Sequence, residues 1–570
     1  MAVPSLAESH RILTSPGSRF EMDERVIRGQ RLRVWKHAPP TIRHVLEHAR
    51  AHGDRDWLVY EDDRLSYEEG WRLAAAVAGR LVEELGIRKG DRVAVAMRNF
   101  PEWPLAFFGA TAAGAIAVPL NAWLTGEELE FALADSGSSV LFADEERARL
   151  LEPHYAKLPL RQVVVARARE KLLPGHVSFE EFVAGAEASE LPPVEVLPDD
   201  PATIFYTSGT TGRPKGALGS HRNLCTNIWS SAFSQARGSL RRTGTLPEPG
   251  SGGRAATLLS VPFFHVTGCH SVLAPNTFAG NKLVMMYRWN PERALELIER
   301  ERITAFGGVP SMVWQVLESP DLHRRDTSSV RMIGYGGAPA APELVRRIRE
   351  HFGDVVQASN GYGLTETSAI TTTNNSVDYE RKPDSVGVPV PVCDVKVVDE
   401  AGQELGPGQV GELCIRGPNV VMGYWNRPDA TAETFRDGWL HTGDIARIDD
   451  EGFVTILDRA KDMLIRGGEN VYCVEVEDVL YQHPDVMDAA VIGIPHRILG
   501  EEVGAAVQLR PGATADEEAL RRHVAGHLAA FKVPVRIEIR REPLPRNPNG
   551  KILKRQLKAE LGWTEPRTGG

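Results

Sequence analysis

The sequence has little cysteine, and this scarcity excludes two kinds of protein. Five cysteines occur in 570 residues, and no two of them have the CxxC spacing of a zinc site. We therefore expect neither a zinc site nor a disulfide framework, and the simplest location is a reducing cytoplasm. The five are Cys225, Cys269, Cys393, Cys414 and Cys473.

Long runs of positive charge are also absent. The formal net charge is −10, and acidic and basic residues are mixed along the whole chain. Binding to nucleic acid or to an anionic membrane needs clustered lysine and arginine that neutralise phosphates. We expect no nucleic-acid partner.

Long apolar segments are almost absent. Residues 1–20 lack the apolar core of a signal peptide. The segment from Pro104 to Thr125 carries no charge and is long enough to span a bilayer, but it is rich in Gly, Ala and Thr and is interrupted by Pro119. It predicts a buried helix followed by a buried strand, and hence no integral membrane segment.

The composition is that of a large globular protein, with 42% hydrophobic and 25% charged residues. Single cores stop growing near about 250 to 300 residues, so the length predicts several lobes. From about Pro40 to Ala143, capped helices alternate with short apolar strands, which is typical of parallel α/β units. After Val386 the pattern changes to short alternating strands and turns, which indicate an antiparallel β lobe.

The predicted fold class is therefore α/β. We expect an N-terminal extension (1–35), a large domain of two α/β subdomains plus the β lobe (36–458), and a small α+β C-terminal domain (459–570).

Several local patterns give testable element boundaries. Ser66 and Glu69 form a capping box for a helix that runs to Gly86, ahead of a strand from Arg92 to Met97. Thr125 and Glu128 repeat the capping box before a strand at 140–143. In the small domain we expect a helix at 474–482, strands at 489–493 and 503–509, and a helix capped by Thr514 and Glu517.

Two glycine-rich segments are predicted to carry no chemistry. Ala236 to Arg254 is polar and dense in Gly, Pro and Arg, which favours a mobile surface loop. Gly406 to Gly411 fits GxGxxG, but residues 412–416 look like a strand and not a helix, so this segment predicts a β-turn.

The strongest chemical signal is the string TSGTTGRPKG from Thr207 to Gly216, which follows the apolar run 203–206. Glycines let backbone N–H groups converge on phosphate oxygens, hydroxyls add donors, and Lys215 adds positive charge. The string differs from a Walker loop because Pro214 precedes the lysine and Gly216 follows it. It predicts a polyphosphate cradle.

This string resembles the phosphate-loop signature of the adenylate-forming superfamily, which includes acyl-CoA synthetases, luciferases and peptide-synthetase adenylation domains. Further motifs similar to the family's follow in the family's order over nearly the whole chain. They are PFFH (262–265), GYGGAP (334–339), NGYGLTE (360–366), TGD (442–444), DRAKD (458–462), GGEN (467–470) and PRNPNGK (545–551).

Residue chemistry fits the roles that the resemblance implies. The ring of Tyr362 can stack on adenine, and Asp444 can accept hydrogen bonds from both ribose hydroxyls with Arg459 nearby. Glu366 is suited to Mg²⁺, and Thr365 can donate to the α-phosphate. The implied ATP site comprises Thr207, Ser208, Gly209, Thr210, Thr211, Gly212, Lys215, Gly336, Gly337, Ala338, Asn360, Gly361, Tyr362, Gly363, Thr365, Asp444, Ile456, Arg459 and Lys551.

The resemblance implies two half-reactions and a mobile small domain. Lys551 would stabilise the transition state when a carboxylate attacks ATP, and would then swing away about a hinge at Lys461. The loop of Gly467, Gly468 and Glu469 would come in for thiol attack by coenzyme A. Fatty-acyl-CoA synthetases usually have proline where Cys473 stands and serine or threonine where Arg466 stands, so the thiol acceptor stays open.

The acid substrate is expected to be aliphatic or aromatic. In the resembled family, members that activate amino acids have an aspartate after these phenylalanines to pair the substrate ammonium, and here the position is His265, so an α-amino acid is disfavoured. The resemblance implies that this histidine is a gate or orienting group beside the acyl pocket; the alternative is a satisfied buried histidine. The expected pocket residues are uncharged: Trp229, Phe263, Phe264, Val266, Tyr335 and Ser368.

The implied catalytic residues are Lys551, Glu366, Thr365 and His265. The implied cofactors are ATP, Mg²⁺ and coenzyme A, the last as a co-substrate. Three alternatives stay open: acyl transfer to a carrier protein or an amine, a luciferase-like oxygenase, and a nucleotide-binding protein without catalysis. A homodimer is also left open.

Overall fold

The computed structural model describes residues 3–185, 190–207, 214–246, 254–336, 342–353, 355–467, 469–547 and 550–564. In chain order, the strands of its first part are β1 (Met22–Ile27), β2 (Gln30–Trp35), β3 (Asp56–Tyr60), β4 (Asp63–Ser66), β5 (Arg92–Ala96), β6 (Ile116–Pro119), β7 (Val140–Asp144), β8 (Gln162–Ala166), β9 (His176–Ser178), β10 (Pro201–Thr207), β11 (Lys215–Ser220), β12 (Ala256–Leu259), β13 (Lys282–Met285), β14 (Ala305–Gly308), β15 (Met332–Gly336), β16 (Gln357–Tyr362), β17 (Thr372–Asn375) and β18 (Val388–Pro389).

The helices of this part are α1 (Leu6–Leu13), α2 (Ile42–Arg50), α3 (Tyr67–Glu83), α4 (Glu102–Ala112), α5 (Gly126–Ser136), α6 (Glu145–Leu150), α7 (Phe179–Val183), α8 (His221–Thr243), α9 (Ala274–Ala279), α10 (Pro291–Glu301), α11 (Pro310–Glu318), α12 (Pro342–Phe352) and α13 (Ser376–Arg381). Shorter 3₁₀ turns cover Glu152–Lys157 and Thr365–Thr367, and a π-helical segment covers Thr267–Leu273.

Two large sheets form the body. The first has strand order β11-β10-β6-β5-β7-β8-β9 and the second β18-β17-β16-β15-β14-β12-β13-β3-β4. Both are parallel in their centres, with antiparallel strands at their edges. Helices α3 and α4 belong to the main hydrophobic core, and every residue of α4 is buried. A helix that is apolar on all sides must be buried on all sides.

The uncharged segment 104–125 therefore has the predicted structure, a buried helix followed by the buried strand β6. In the part of the chain that the structure describes, no helix is both long enough and apolar enough to cross a bilayer.

The remaining strands are β19 (Asp394–Val398), β20 (Val410–Arg416), β21 (Phe435–Arg436), β22 (Trp439–Ile448), β23 (Val454–Arg459), β24 (Leu464–Arg466), β25 (Glu469–Val471), β26 (Val486–His496), β27 (Gly500–Leu509) and β28 (Arg536–Arg540). The remaining helices are α14 (Pro428–Thr434), α15 (Cys473–Tyr481), α16 (Glu517–Ala525) and α17 (Lys554–Glu560), with a 3₁₀ turn at Ala530–Lys532.

These elements form a third and a fourth sheet. Strands β19 to β23 make the predicted antiparallel lobe. Strands β24 to β28 with α15 to α17 make an α+β lobe that has its own hydrophobic core, called the small lobe below. The predicted α/β fold class, with a large N-terminal part and a small α+β C-terminal part, is confirmed.

Both predicted capping boxes are present, but α3 ends earlier than expected. It stops at Glu83, and Gly86 lies beyond it with φ +59°. The N–H of Ile87 donates to the carbonyl of Leu81, which closes the helix end. The glycine marks the turn after the helix and not its last residue. Strand β5 likewise ends at Ala96, one residue short of the prediction.

The predicted loop from Ala236 to Arg254 was wrong in its first half. Helix α8 continues to Thr243 and is closed by Gly244 at φ +72°. The arginines that suggested a surface loop are held inside the protein: Arg241 forms an ion pair with Asp378, and Arg237 donates to the carbonyl of Thr373. Charge pairing and carbonyl contacts therefore allow a polar segment to stay helical. Residues 247–253 lie outside the described residues.

The predictions of one turn and one helix cap had different outcomes. The N–H of Gln409 donates to the carbonyl of Gly406, and strand β20 begins at Val410, so the predicted turn and strand are confirmed. The predicted cap by Thr514 was wrong, because α16 is capped by Asp516, whose side chain accepts from the N–H of Ala519. The carboxylate directly before the helix bonds a free N–H group of the first turn, so the helix begins two residues later than the Thr514 cap predicted.

Helix α3 provides a test of the core packing. A Cβ atom at Gly70 would lie 2.3 Å from the ring of Trp57, whereas a Cβ at Gly79 on the same helix would meet nothing within 4 Å. We expect Gly70→Ala to lower the free energy of unfolding by about 1–3 kcal/mol through overpacking. The control Gly79→Ala should raise it by about 0.5–1 kcal/mol, because alanine favours helix. Urea unfolding followed by circular dichroism measures both; equal effects would contradict the predicted contact.

Candidate active site

One large cavity lies between the first, second and third sheets and the small lobe. Its volume is about 2190 Å³. The predicted site residues that line it are Thr207, Lys215, Phe264, His265, Val266, Asn360, Gly361, Tyr362, Gly363, Thr365, Glu366, Asp444, Ile456, Arg459, Lys461 and Lys551. Residues that are up to 344 positions apart in the sequence (207 to 551) therefore face one space.

The topology explains why the motifs meet. Strands β12, β14, β15 and β16 are parallel neighbours, so their carboxyl ends lie along the same edge of the sheet. The PFFH, GYGGAP and NGYGLTE motifs each lie at or just after one of these ends. Ligands of open α/β sheets bind at this edge.

Two glycines at this edge are required by close backbone contacts. A Cβ at Gly363 would lie 1.3 Å from the carbonyl oxygen of Ala369, and a Cβ at Gly336 would lie 2.4 Å from that of Gly361. These distances leave no room for any side chain. The glycines thus serve close packing of the strand ends, which brings the loops together at the cavity.

Asp444 is the centre of a buried polar cluster. Its carboxylate forms an ion pair with Nε of Arg459 at 2.8 Å and accepts from the hydroxyl of Tyr362 at 2.5 Å. The aspartate is 2% exposed. Burial, and then the negative charge of Asp444, raise the pKa of the Tyr362 hydroxyl, so this tyrosine is a neutral donor.

Glu412 and His441 also line the cavity and were not predicted. Glu412 accepts from the N–H of Gly443 at 3.0 Å, while its other oxygen lies 2.8 Å from Nδ1 of His441. Cys414, whose pKa is raised to about 12 by burial, has its sulfur 3.4 Å from the same nitrogen. These contacts fix the Gly443 turn, at φ +67°, that precedes Asp444. No sequence motif contains Glu412, Cys414 or His441. The one available signal is that Glu412 and Cys414 are two positions apart on a strand and therefore share one face of the sheet.

Glu366 lies in a strained turn. Ser368 and Ala369, which follow it, both have positive φ, +50° and +89°. Non-glycine residues in this region cost free energy, which the surrounding packing must offset. The carboxylate of Glu366 accepts from the hydroxyl of Tyr424 at 2.7 Å, and Nζ of Lys215 lies 5.0 Å from the ring centre of Tyr424.

The described ends of the phosphate loop are close together. Thr207 ends β10 and Lys215 begins β11, and the two residues are paired in the antiparallel register. The hydroxyl of Thr207 donates to the carbonyl of Lys215 at 3.3 Å. The other predicted loop residues lie outside the described part of the chain, as do three more predicted site residues: Ser208, Gly209, Thr210, Thr211, Gly212, Gly337, Ala338 and Gly468.

Lys551 reaches the cavity from the small lobe. Its backbone is fixed by a pair of hydrogen bonds with Asn547, and Gly550 before it has φ +74°. Burial, and then the nearby charge of Arg459, lower the pKa of the Lys551 ammonium to about 8. A lysine that is desolvated in this way is poised to be stabilised by a bound anion.

The predicted acyl-pocket residues separate into two groups. Phe264, His265 and Val266 line the cavity, but Trp229, Phe263, Tyr335 and Ser368 do not. Burial lowers the pKa of His265 to about 3, so its imidazole is neutral, and its Nε2 has no hydrogen-bond partner among the described residues.

The four residues that do not line the cavity pack elsewhere. Phe263 stacks on Trp103, with ring centres 5.0 Å apart. The indole of Trp229 donates to the carbonyl of Arg19, and the hydroxyls of Tyr335 and Tyr379 bond each other at 2.9 Å. Ser368 is buried in the strained turn after Glu366.

The predicted coenzyme A loop is placed away from the cavity. Gly467 and Glu469 flank the turn of the β24–β25 hairpin and are exposed, and neither lines the cavity. Lys461, the predicted hinge, lies between the end of β23 and the start of β24. In this arrangement the cavity holds Lys551 and not the hairpin.

The two departures from the family pattern have structural roles. The backbone N–H of Cys473 donates to the buried carboxylate of Asp458 at 2.5 Å, a bond that a proline could not make. The pKa of Asp458 is raised to about 6, chiefly by burial. Arg466 forms an ion pair with Glu502 at 3.6 Å inside the small lobe.

The sequence matches two family models. The model described as AMP-binding enzyme matches residues 45–425, and the model described as AMP-binding enzyme C-terminal domain matches residues 475–551.

Curated proteins and solved structures are similar over most of the chain. A feruloyl-CoA synthase from Amycolatopsis sp is 36% identical over 498 residues, which cover 87% of this chain and 94% of that protein. A long-chain-fatty-acid–CoA ligase from Salmonella typhimurium is 34% identical over 543 residues, covering 90% and 94%. The crystal structure of the anthranilate CoA ligase AuaEII with anthranoyl-AMP has a TM-score of 0.82 at 27% identity, covering 92% of this chain and 97% of that one. The amide bond synthetase McbA from Marinactinospora thermotolerans has a TM-score of 0.77 at 28% identity, covering 91% and 99%.

Proposed function

The chain belongs to the AMP-binding enzymes of the adenylate-forming superfamily and is an AMP-forming ligase of the acyl-CoA synthetase type; from this premise we propose that it joins an aliphatic or aromatic carboxylic acid to coenzyme A. The carboxylate attacks the α-phosphorus of ATP, giving acyl-AMP and pyrophosphate. The thiol of coenzyme A then attacks the acyl carbon, and AMP leaves.

The observation that carries this proposal is the meeting of Lys551 with the Asp444–Arg459 pair in one cavity. Attack of one anion on another needs positive charge that is fixed before the reaction, because such charge costs no reorganisation at the transition state. Lys551 and Arg459 supply it from two sides, and Lys215 supplies a third cation beside the phosphate loop. A nucleotide-binding protein without catalysis has no need of this arrangement.

Nucleotide contacts follow from the chemistry of the lining residues. We assign Asp444 to the ribose hydroxyls, with Arg459 holding its carboxylate in place through their ion pair, and Gly361 and Tyr362 to the face of adenine. The phosphates would lie between Thr207, Lys215 and the loop that joins them. Thr365 offers a hydroxyl beside the α-phosphate.

Mg²⁺ fits the residues at Glu366. One carboxylate oxygen of this residue accepts from Tyr424, which leaves the other oxygen toward the cavity that both residues line. Hard oxygen ligands and phosphates are what Mg²⁺ prefers. When bound, the ion would neutralise phosphate charge; Glu366 would hold it and Tyr424 would orient Glu366.

Three uncharged residues of one segment of the cavity lining, Phe264, His265 and Val266, support an aliphatic or aromatic acid. Phe264 and Val266 offer apolar surface to the cavity. The imidazole of His265 is neutral, so it does not favour a substrate that carries a second charged group. Its Nε2 has no hydrogen-bond partner among the described residues. The relatives' names, which include feruloyl and long-chain fatty acids, support both substrate classes. We include fatty-acid metabolism in the proposal because of these names. We include a cytoplasmic location because all five cysteines are free, as a reducing compartment would keep them.

The second candidate differs only in the acceptor. Similarity to an amide bond synthetase supports transfer of the acyl group to an amine in place of a thiol. The cavity chemistry of the first half-reaction is the same for both.

A pyrophosphate-release screen tests the proposed function. Purified protein is offered a panel of fatty and aryl acids with ATP and Mg²⁺, with and without coenzyme A. We expect pyrophosphate with at least one acid and faster AMP release when coenzyme A is added. Pyrophosphate without any effect of coenzyme A, together with AMP release stimulated by amines, would favour the second candidate; no pyrophosphate with any acid would refute both.

Replacing Lys551 should separate the half-reactions. We expect Lys551→Ala to lower the rate of acyl-adenylate formation by about 10²–10³-fold, the usual loss for one electrostatic group at a transition state. Thioester formation from preformed acyl adenylate should stay within about twofold of the native rate, because that step does not need this charge. The control Lys558→Ala removes a nearby lysine that does not line the cavity and should leave both steps unchanged. Equal losses in both steps would contradict the role of Lys551.

The pH dependence should report the same lysine. Its pKa is lowered to about 8 in the ligand-free enzyme, so the ammonium is lost as pH rises above that value. We expect kcat/KM for adenylation to fall on the alkaline side with an apparent pKa near 8, since this parameter reports the free enzyme. Thioester formation from preformed adenylate should show no such fall. A flat adenylation profile up to pH 10 would be evidence against the prediction.

A further inference from the structure

Helix α11 lies beneath the small lobe, and it contacts that lobe at both of its ends. The residues that make or flank these contacts are Val309, Ser311, Trp314 and Glu318, called the α11 docking face below. We propose that Arg510 of the small lobe and Glu318 of α11 form a positioning pair that orients the lobe so that Lys551 enters the cavity. This inference rests on the proposed function, because it assigns the pair to the adenylation step.

The first contact is at the N-terminal end of α11. A Cβ at Gly550 would lie 2.5 Å from Cγ2 of Val309 and 3.6 Å from the hydroxyl of Ser311. The backbone of the lysine loop therefore rests directly on the start of this helix. Lys551 is the next residue, so any movement of the lobe along α11 moves the ammonium group in the cavity.

The second contact is at the C-terminal end. The guanidinium of Arg510 forms an ion pair with the carboxylate of Glu318, and its carbon lies 5.4 Å from the ring centre of Trp314. The two charged side chains are only 17% and 29% exposed. The contact therefore combines charge pairing with stacking on an aromatic face, for which arginine is better suited than lysine.

Arg510 is itself held within its own lobe. Its Nε donates to the carbonyl of Pro484 at 2.9 Å, and its backbone N–H donates to the carbonyl of Asp485, also at 2.9 Å. The guanidinium is thus a fixed part of the small lobe, and an ion pair with it restrains the whole lobe.

The spacing of the docking face makes the two contacts act together. Residues 311, 314 and 318 are three and four positions apart, so they share one side of the helix. Seven residues of helix span roughly 10 Å. One contact would let the lobe pivot, whereas two contacts that far apart fix its direction.

Two electrostatic features indicate that the pair serves docking. Glu318 is the last residue of α11, where the negative end of the helix dipole disfavours an acidic side chain. Elsewhere in the interface burial, and then the negative charges of Glu477, Asp384 of the body and Glu475, raise the pKa of Asp478 to about 8. Negative charge on Asp478 is therefore disfavoured in the docked lobe, whereas Arg510 and Glu318 form an attractive charge pair at the C-terminal end of α11.

The pair should matter for only one half-reaction. The ion pair between Arg510 and Glu318 is present in the arrangement that places Lys551 in the cavity. In this arrangement Gly467 and Glu469 of the β24–β25 hairpin do not line the cavity. If this hairpin serves thiol attack, as the proposed function and the family resemblance imply, the lobe must turn to bring it to the cavity, and Arg510 would then leave Glu318. Loss of the pair should slow adenylation and spare thioester formation.

Charge reversal and charge exchange test this inference. We expect Glu318→Arg and Arg510→Glu each to slow pyrophosphate release about tenfold, and the double variant to recover to within about threefold of native, as coupled neighbours do. Glu318→Gln, which leaves the internal bonds of Arg510 intact, should give a smaller loss of about threefold. Thioester formation from preformed acyl adenylate should stay within about twofold in all four.

Arg540→Glu is the matched control. Arg540 also forms an ion pair in the small lobe, with Glu560 at 3.1 Å, but the two partners belong to the same lobe. Its reversal makes the same change of charge and should leave both half-reactions at native rates. An equal effect of Arg540→Glu, equal losses in both half-reactions, or no recovery in the double variant would overturn the positioning role.

A distance measurement separates this inference from the proposed function. Spin labels on introduced surface cysteines, one in the body and one in the small lobe, report docking without any reaction. The single variants should broaden the distance distribution, and the double variant should restore it. If the native protein releases no pyrophosphate with any acid, the proposed function fails; if the variants leave the distances unchanged, the inference about the pair fails.

Discussion

The ion pair between Asp444 and Arg459 lies where the chain passes from the antiparallel lobe toward the small lobe. The residues are register partners on β22 and β23, and Arg459 is the last residue of β23, after which the chain continues to β24 of the small lobe. The carboxylate that faces the cavity is thus held by the residue at which the strand ends. A buried pair needs further hydrogen bonds to offset its desolvation, and the hydroxyl of Tyr362 provides one.

Desolvation of positive charge is the cost of this arrangement. Burial lowers the pKa values of Lys461 and Lys551, and the charge of Arg459 lowers both further. The positive charges at the cavity therefore disfavour one another. ATP carries several negative charges, which offset the repulsion between these cations, so the same groups favour binding of a polyphosphate.

The sequence predicted the cavity better than it predicted the packing around it. Motifs could be placed because parallel strands end at a common edge, so Asn360 to Glu366 had to lie near the PFFH segment. The direction in which each side chain points could not be predicted from the same information. Phe264 lines the cavity, whereas its neighbour Phe263 packs on Trp103. Helix α8 was misjudged because the pairing of Arg241 with Asp378 joins residues 137 positions apart.

Contacts between lobes carry no local signal at all. Glu318 and Arg510 are 192 positions apart and neither lies in a motif, so only the folded arrangement brings them together. Glu412 and His441 also lie outside the motifs, because their role is to hold the Gly443 turn of the TGD motif. Residues that touch the ligand leave compact signatures, whereas residues that support them are distributed along the chain.

The five cysteines have a chemical consequence for an enzyme that makes an activated acyl group. All are buried, and burial raises the pKa of every one of their thiols. An acyl adenylate is attacked by thiolates and hardly at all by thiols. Because its thiols stay protonated, the protein is protected from acylating its own cysteines while an external acceptor approaches.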